Sequence, residues 1–353
     1  KNTEILNEIE ANFDRLMMSD GNAAEDLEGI DPLTDMVITE LKQHQRVGLQ
    51  WLTIREKHLV LFHWRAASQV QKQKKANPDP FLDDQYDNAE ENLTDMDNDN
   101  EKDKYESLPP FYREEEDEDT GDTYYVNILN GDKCDELPSF GMGGILADDM
   151  GLGKTLQILA LICNNSGFDS NPMCGYGPTL IVTPLSVMSN WVQQIREHIR
   201  PDTIRIYEYY GSHRNSDVEF LKQHHVVLTT YNVVLKDYSD ETDENREQMR
   251  KYCGAGLQYV DWLRVVLDEA HKIRSRKTRI FKACSALVAR SRWCISGTPV
   301  QNRLDDLYSL FNFLRLHPIS DMNFWSKFII SPLKHNQMEG LDRLRTIMRQ
   351  VHF

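Results

Sequence analysis

Residues 143–162 read GGILADDMGLGKTLQILALI. Few folds accommodate that order: a glycine-built turn, then a lysine and a hydroxyl, directly before a run apolar enough to be a buried helix. A helix N-terminus leaves backbone N–H groups unpaired, and its dipole favours anions. Gly151 and Gly153 let the backbone approach a phosphate chain, Lys154 reaches its β and γ phosphates, and Thr155 offers a hydroxyl to Mg2+. The match to G-x-x-x-x-G-K-[ST] is incomplete, because Asp148 stands at the first glycine. Taken alone, the run reads equally well as a glycine-rich turn with a surface lysine. A dinucleotide fingerprint fits less well, since GMGGIL at 141–146 lacks the third glycine.

A second signal lies 114 positions after Lys154. The run LRVVLDEAHKI, residues 263–273, is an apolar strand that ends in Asp268 and Glu269. An acid at a strand end holds Mg2+ in P-loop enzymes. Asp268 fits that role, Glu269 is placed to orient or deprotonate an attacking water, and His271 is placed to sense the nucleotide. By itself an Asp-Glu pair after a strand reads as a solvated turn. The two signals together, in this order on one chain, point to ATP with Mg2+.

The pattern around them agrees. Short β-rich runs at 179–183, 204–208, 226–230, 263–267 and 292–296 alternate with helical runs at 154–164, 186–199, 278–289 and 303–315. Alternation of this kind predicts an α/β fold with a parallel sheet covered by helices on both faces. Upstream, TELKQHQRVGLQWLTIREKH at 39–58 has the apolar spacing of an amphipathic helix, and residues 1–30 also suit a helix. Residues 237–258 read as a polar excursion between strands.

Charge is unevenly distributed. The 353 residues carry a net charge of −16. Asp79 to Glu136 hold 22 acidic and 4 basic residues, a net of −18, which leaves 34 acidic and 36 basic elsewhere. The overall acidity therefore does not exclude a nucleic-acid partner. A like-charge block is usually solvated. Two aromatic islands, LPPFYR at 108–113 and TYYVNIL at 123–129, predict a partly ordered insertion draped on the domain. Functionally, the block suits docking of histones or other basic proteins, or shielding of a DNA-binding face; its simplest reading is a solvated insertion. The six cysteines show neither Cys-x-x-Cys pairs nor zinc spacing, so free thiols in a reducing compartment are expected. No apolar run reaches membrane-spanning length. The first residues and the closing IMRQVHF read as cut ends, so the chain is taken as a fragment.

Five stretches then carry a resemblance to the Swi/Snf (sucrose non-fermenting) family of DNA-dependent ATPases within helicase superfamily two. LADDMGLGKTLQ resembles that family's first motif, LIVTPLSVMSNWVQQI its motif Ia, VVLTTYNVV its motif Ib, LDEAHKIR its motif II, and ISGTPVQNRLDDLYSLFNFL its motif III with the helix beyond. LKQHQRVGLQWL resembles the segment with an adenine-reading glutamine, here Gln45. LPPFYR, YYVNIL and FWSKFIISPL are most similar to the helicase-like transcription factor and Rad-type branch, which acts in DNA-damage tolerance.

The resemblance implies a RecA-like ATP-binding lobe over 141–353. Ahead of it come a polar helical segment (1–38), the Gln45 helical segment (39–76) and the acidic insertion (77–140). It implies a nucleotide bound by Gln45, Asp149, Met150, Gly151, Leu152, Gly153, Lys154, Thr155 and Leu156, with Thr155 and Asp268 on Mg2+. Lys154, Asp268, Glu269 and His271 are the catalytic group. Double-stranded DNA would lie on Thr183, Pro184, Ser186, Asn190, Thr229, Thr230, Tyr231, Lys272 and Arg274, through hydroxyls and backbone N–H groups that read no sequence. Ser296, Gly297, Thr298 and Pro299 would couple nucleotide state to DNA grip. A second RecA-like lobe with an arginine for the ATP site is expected beyond Phe353. The branch's RING ubiquitin-ligase insert and N-terminal DNA-end-binding domain have no counterpart here, and neither activity is assigned. A nuclear location follows, with QKQKK at 71–75 as a weak signal or simply a solvated helix end.

Several bland readings stand beside these. Trp191 is read as a packing residue, His317, His335 and His352 as surface residues, and the basic run Lys272 to Arg279 as a solvated helix start. The competing functions are an RNA helicase of the DEAH class, against which SGTPVQN argues, and a hydrolysis-deficient acidic docking module, against which the intact Lys154, Thr155, Asp268 and Glu269 argue.

Overall fold

The computed structural model describes residues 27–56, 111–117, 121–136, 141–149, 151–165, 177–239, 256–297, 304–335 and 337–353. Expectations for residues 1–26, for 71–75, for most of the acidic block and for Met150, Thr298 and Pro299 lie outside them.

The centre is a six-stranded parallel sheet in the order β4-β9-β8-β5-β7-β6. Its strands are β4 (Met142–Leu146), β5 (Thr179–Thr183), β6 (Ile206–Glu208), β7 (Val226–Thr230), β8 (Asp261–Asp268) and β9 (Val288–Ile295). Successive side chains on a strand point to opposite faces. Accordingly Leu180 and Val182 of β5 enter one core and Ile181 the other, and Val265 and Leu267 of β8 oppose Val266. Both faces are covered, which is why the stretches Leu180–Val182 of β5, Val226–Leu228 of β7 and Val265–Leu267 of β8 are apolar at consecutive positions rather than alternating with polar residues.

One face is covered by α1 (residues 43–56) together with α2 (Lys154–Asn164) and α3 (Leu185–His198), whose Leu49, Trp51, Leu159, Ile162, Trp191 and Ile195 share a core. The Gln45 helix thus packs into the lobe itself. The opposite face takes α5 (Tyr231–Asp237), α6 (Arg279–Ser285), α7 (Leu304–Leu314), α8 (Met322–Trp325), α9 (Ser331–His335) and α10 (Gln337–Val351), while α4 (Val218–Lys222) lies between β6 and β7 in the chain. The described part of the insertion forms a separate antiparallel sheet of β1 (Tyr112–Glu116), β2 (Thr123–Asn127) and β3 (Lys133–Cys134). Phe111 anchors it in the lobe core, and its backbone N–H donates to Gln350 Oε1 at 2.7 Å.

β4, one helix, β9 and one histidine depart from expectation. β4 carries two glycines and no obvious strand pattern. A Cβ on Gly143 would stand 1.8 Å from the Arg292 carbonyl, and one on Gly144 2.7 Å from the Val351 carbonyl, so close packing at this edge selects glycine. The helix placed at 278–289 ends at Ser285, because β9 already begins at Val288. β9 itself starts four residues before the expected 292. His352 is not a surface residue. It is half-buried where the last residues extend the sheet beside β4: Phe353 N donates to Ile145 O at 2.9 Å, and Ala147 N to Phe353 O at 2.7 Å. His317 and His335 are exposed. No helix among the described residues is long and apolar enough to cross a membrane.

Candidate functional site

The site is set by register. Leu146, the last residue of β4, pairs with Ile295 of β9, and Asp268, the last residue of β8, pairs with the same Ile295 from the other side. All three strands are parallel, so the loop after β4 and the acids after β8 emerge at the same, C-terminal end of the sheet. The resemblance required this convergence; the register supplies it.

The loop from 147 to 153 is built on glycine geometry. Gly151 (φ 88°) and Gly153 (φ 89°) occupy the left-handed region that other residues avoid. A Cβ on Gly151 would meet nothing within 4 Å, so its approach is open. A Cβ on Gly153 would stand 2.2 Å from Gln45 Nε2. Gly153 caps the eleven-residue α2 without a side-chain bond, which keeps the first-turn N–H groups available to an anion. Lys154 curls over this mouth: its Nζ donates to the carbonyls of Asp148 (2.5 Å) and Asp149 (3.0 Å). Thr155 is half-buried in the same turn, Leu152 is exposed, and the Leu156 side chain belongs to the core.

Asp148, the departure from the glycine consensus, is accommodated. Its Oδ2 accepts from Nε2 of the buried Gln157, at 3.1 Å, so the carboxylate is tied back to α2. Gln45 braces the loop from the other side. Its Nε2 donates to Leu152 O (3.0 Å), and its Oε1 accepts from Lys42 N (2.9 Å).

Across β9, Asp268 accepts from three donors. Oδ2 receives Trp191 Nε1 (2.7 Å) and Thr183 Oγ1 (3.2 Å), and Oδ1 receives Glu269 N (2.9 Å). Burial raises its pKa; the Trp191 bond opposes this, and the adjacent Glu269 charge reinforces it. Glu269 has φ 53°, a strained conformation for a non-glycine residue, of the kind that clusters at functional sites. His271 Nδ1 lies 3.1 Å from Glu269 Oε2. Ser296, at the end of β9, donates its backbone N–H to Leu146 O at 3.2 Å, and Gly297 is half-buried beside it.

These residues fit a magnesium nucleotide. A glycine-built loop with open space at Gly151, a helix terminus with no side-chain cap bond, a lysine and a carboxylate at the neighbouring strand end are the groups such a ligand needs.

The residues expected on DNA divide into two groups. Pro184 is half-buried, and Ser186, Asn190, Lys272 and Arg274 are exposed. Thr183, Thr229, Thr230 and Tyr231 are buried, and their hydroxyls serve the fold. Thr183 bonds Asp268, Thr229 donates to Tyr209 O (3.0 Å), Thr230 caps α5, and Tyr231 donates to Asp268 O (2.7 Å). Strand ends next to a site are where hydroxyls find internal acceptors, which motif matching does not reveal. Arg276 lies over the Tyr308 ring at 4.4 Å; Lys277 and Arg279 are exposed.

Sequence reasoning missed the network that fixes the Gln45 helix. Buried Glu56 accepts from Arg264 Nε (2.7 Å) and Nη2, Ser291 Oγ (2.9 Å) and Trp293 Nε1 (2.9 Å). Burial pushes its carboxyl pKa up, but the Arg264 charge and these bonds hold it below the ordinary carboxylate value. The one available signal was Arg264 itself: a charge inside the buried run LRVVL demands a partner.

The fold and the site together define a parallel α/β lobe of the P-loop kind, with an acid pair facing the loop. The chain belongs to the SNF2-related domain family, whose model matches residues 44–352. Among curated relatives it is 33% identical over 272 residues to "DNA repair protein RAD5A" of Arabidopsis thaliana, covering 64% of this chain and 26% of that protein. It is 31% identical over 266 residues to "DNA repair protein rad8" of Schizosaccharomyces pombe, covering 69% and 22%. The solved "Sulfolobus solfataricus SWI2/SNF2 ATPase core in complex with dsDNA" matches at 29% identity with a TM-score of 0.47, over 61% of this chain and 40% of that one. The chain spans 19% to 31% of the length of the first three curated relatives.

Proposed function

We propose that this chain is the ATP-binding lobe of a nuclear, DNA-dependent ATPase that moves along duplex DNA at damaged or replicating sites. Family membership supports an ATPase, and the relatives' names support DNA repair. The observation that carries the reading is the pairing of Leu146 and Asp268 to the same Ile295, which sets the loop opposite the acids.

In this reading Lys154 and the first-turn N–H groups of α2 bind the triphosphate. Thr155 and Asp268 hold Mg2+, which when bound supplies charge neutralisation and a template for the phosphates. Glu269, steadied by His271, orients the attacking water and takes its proton. Gln45 sets the loop and reads the base. Ser296 and Gly297 link the end of β9 to the loop, and with Thr298 and Pro299 they couple nucleotide state to DNA grip. DNA phosphates meet Pro184, Ser186, Asn190, Lys272 and Arg274. A second lobe closes over the nucleotide with an arginine, so this lobe alone turns over ATP negligibly.

ATP hydrolysis by the full-length protein, measured with duplex DNA and with structured RNA, tests the reading. Stimulation by duplex DNA is expected; stimulation by RNA alone, or by neither, overturns the DNA assignment.

A further inference from the structure

Trp191 is 1% exposed, and packing alone would explain it. Its hydrogen bond does not follow from packing. The indole N–H points at Asp268 Oδ2 from 2.7 Å, and that same oxygen also receives Thr183 Oγ1. Both donors belong to one unit. Thr183 ends β5, and Trp191 sits on α3, which begins two residues later. A bond to an ionised carboxylate is roughly twice as strong as a neutral one. With Oδ2 taken by two donors, Oδ1 accepts just the Glu269 N–H among the described residues. A carboxylate oxygen has two acceptor positions, so Oδ1 keeps one for a cation.

α3 is two-faced. Met188, Trp191 and Ile195 form its buried stripe, at spacings of three and four, while Ser186 and Asn190 stand exposed one helical turn apart. A ligand that shifts the outer face therefore moves the indole that holds Asp268.

We infer that Trp191 is a positioning residue of the metal site: its N–H fixes the Asp268 carboxylate with Oδ1 toward the triphosphate and ties it to the outer face of α3. DNA on Ser186 and Asn190 and Mg2+ on Asp268 then favour one another, because coupling between two sites is reciprocal. This rests on the ATPase reading above.

The test uses the full-length protein and a fluorescent ATP analogue, titrated with and without Mg2+. Trp191→Phe keeps the ring and removes the donor. The Mg2+-dependent gain in analogue affinity is expected to fall about tenfold, the size of one lost charge-assisted bond, while metal-free binding stays within about twofold. The Mg2+ concentration for half-maximal hydrolysis rises by about the same factor. Duplex DNA is expected to lower that concentration in the wild type and to leave it unchanged in Trp191→Phe. Should Trp191→Phe fail to fold, Thr183→Val moves the Mg2+ dependence in the same direction and Thr183→Ser restores it. A folded Trp191→Phe, or Thr183→Val, with unaltered Mg2+ dependence overturns this inference and leaves the ATPase reading standing. A wild type whose analogue binding ignores Mg2+ overturns both.

Discussion

Leu146 and Asp268, 122 positions apart in the chain, lie level with each other across Ile295 of β9. Adjacent strands are about 4.8 Å apart, so the two strand ends stand about 10 Å from one another. The loop that follows one and the acids that follow the other are therefore presented to the same small volume.

Gln45 touches the loop at the Leu152 carbonyl and packs against Gly153. Gln45→Ala removes a brace from the phosphate loop without touching the acids. Steady-state kinetics in the full-length protein should show KM for ATP raised about tenfold, equivalent to ~1.4 kcal/mol, with kcat changed less than threefold. A selective loss of kcat would assign Gln45 to the chemical step instead.

Asp268 is half-buried at the end of β8, where it accepts three hydrogen bonds. Its pKa is raised by burial, so the ionised form at neutral pH opposes folding. For an acid with a raised folded pKa, this penalty is present above that pKa and absent below the unfolded value of about 3.9. Asp268→Asn should therefore raise Tm at pH 7 and lower kcat for hydrolysis by about a hundredfold or more. The Tm gain should vanish near pH 4. Scanning calorimetry at both pH values checks it.

Glu56 and Arg264 form a buried pair that joins the Gln45 helix to β8. Breaking one side leaves the other charge buried alone. Glu56→Gln should cost about 3–5 kcal/mol in urea unfolding. Replacing both, as Glu56→Met with Arg264→Leu, should recover much of that loss. A neutral single variant would mean that the pair is solvated in solution.

His352 has its pKa lowered to about 4 by loss of solvent. Above the unfolded value of ~6.5 both states are neutral and there is no effect. Between 6.5 and 4 the unfolded chain takes the proton first, so stability falls as pH falls. Partial exposure limits the loss to on the order of 1–2 kcal/mol. Tm measured from pH 7 to 4 should decline in the wild type and decline less in His352→Gln.

Much of this lobe was legible in the sequence because its signals are local. β5, β7 and α2 fall where their apolar runs place them, since strands buried on both faces are apolar throughout and a helix after a glycine turn has a marked start. Lys154, Thr155, Asp268 and Glu269 are likewise marked by their neighbours. What escaped depends on partners distant in sequence. β4 is a strand because its glycines let Arg292 and Val351 approach, and no pattern within MGGIL says so. The Glu56–Arg264 pair spans 208 positions. Tyr231 and Thr229 match a DNA-facing motif, yet their hydroxyls close onto Asp268 and Tyr209, which only the packed strand ends determine.

The most direct test of the central claim is a double-variant cycle on duplex-DNA-stimulated ATP hydrolysis, using Lys154→Ala and Asp268→Asn singly and together in the full-length protein. Residues that act on one bound group are strongly non-additive. Each single variant should lose about a hundredfold or more in kcat, and the pair should lose no more than the worse single. Losses that multiply, or either single variant keeping the wild-type rate, would contradict a shared magnesium–nucleotide site.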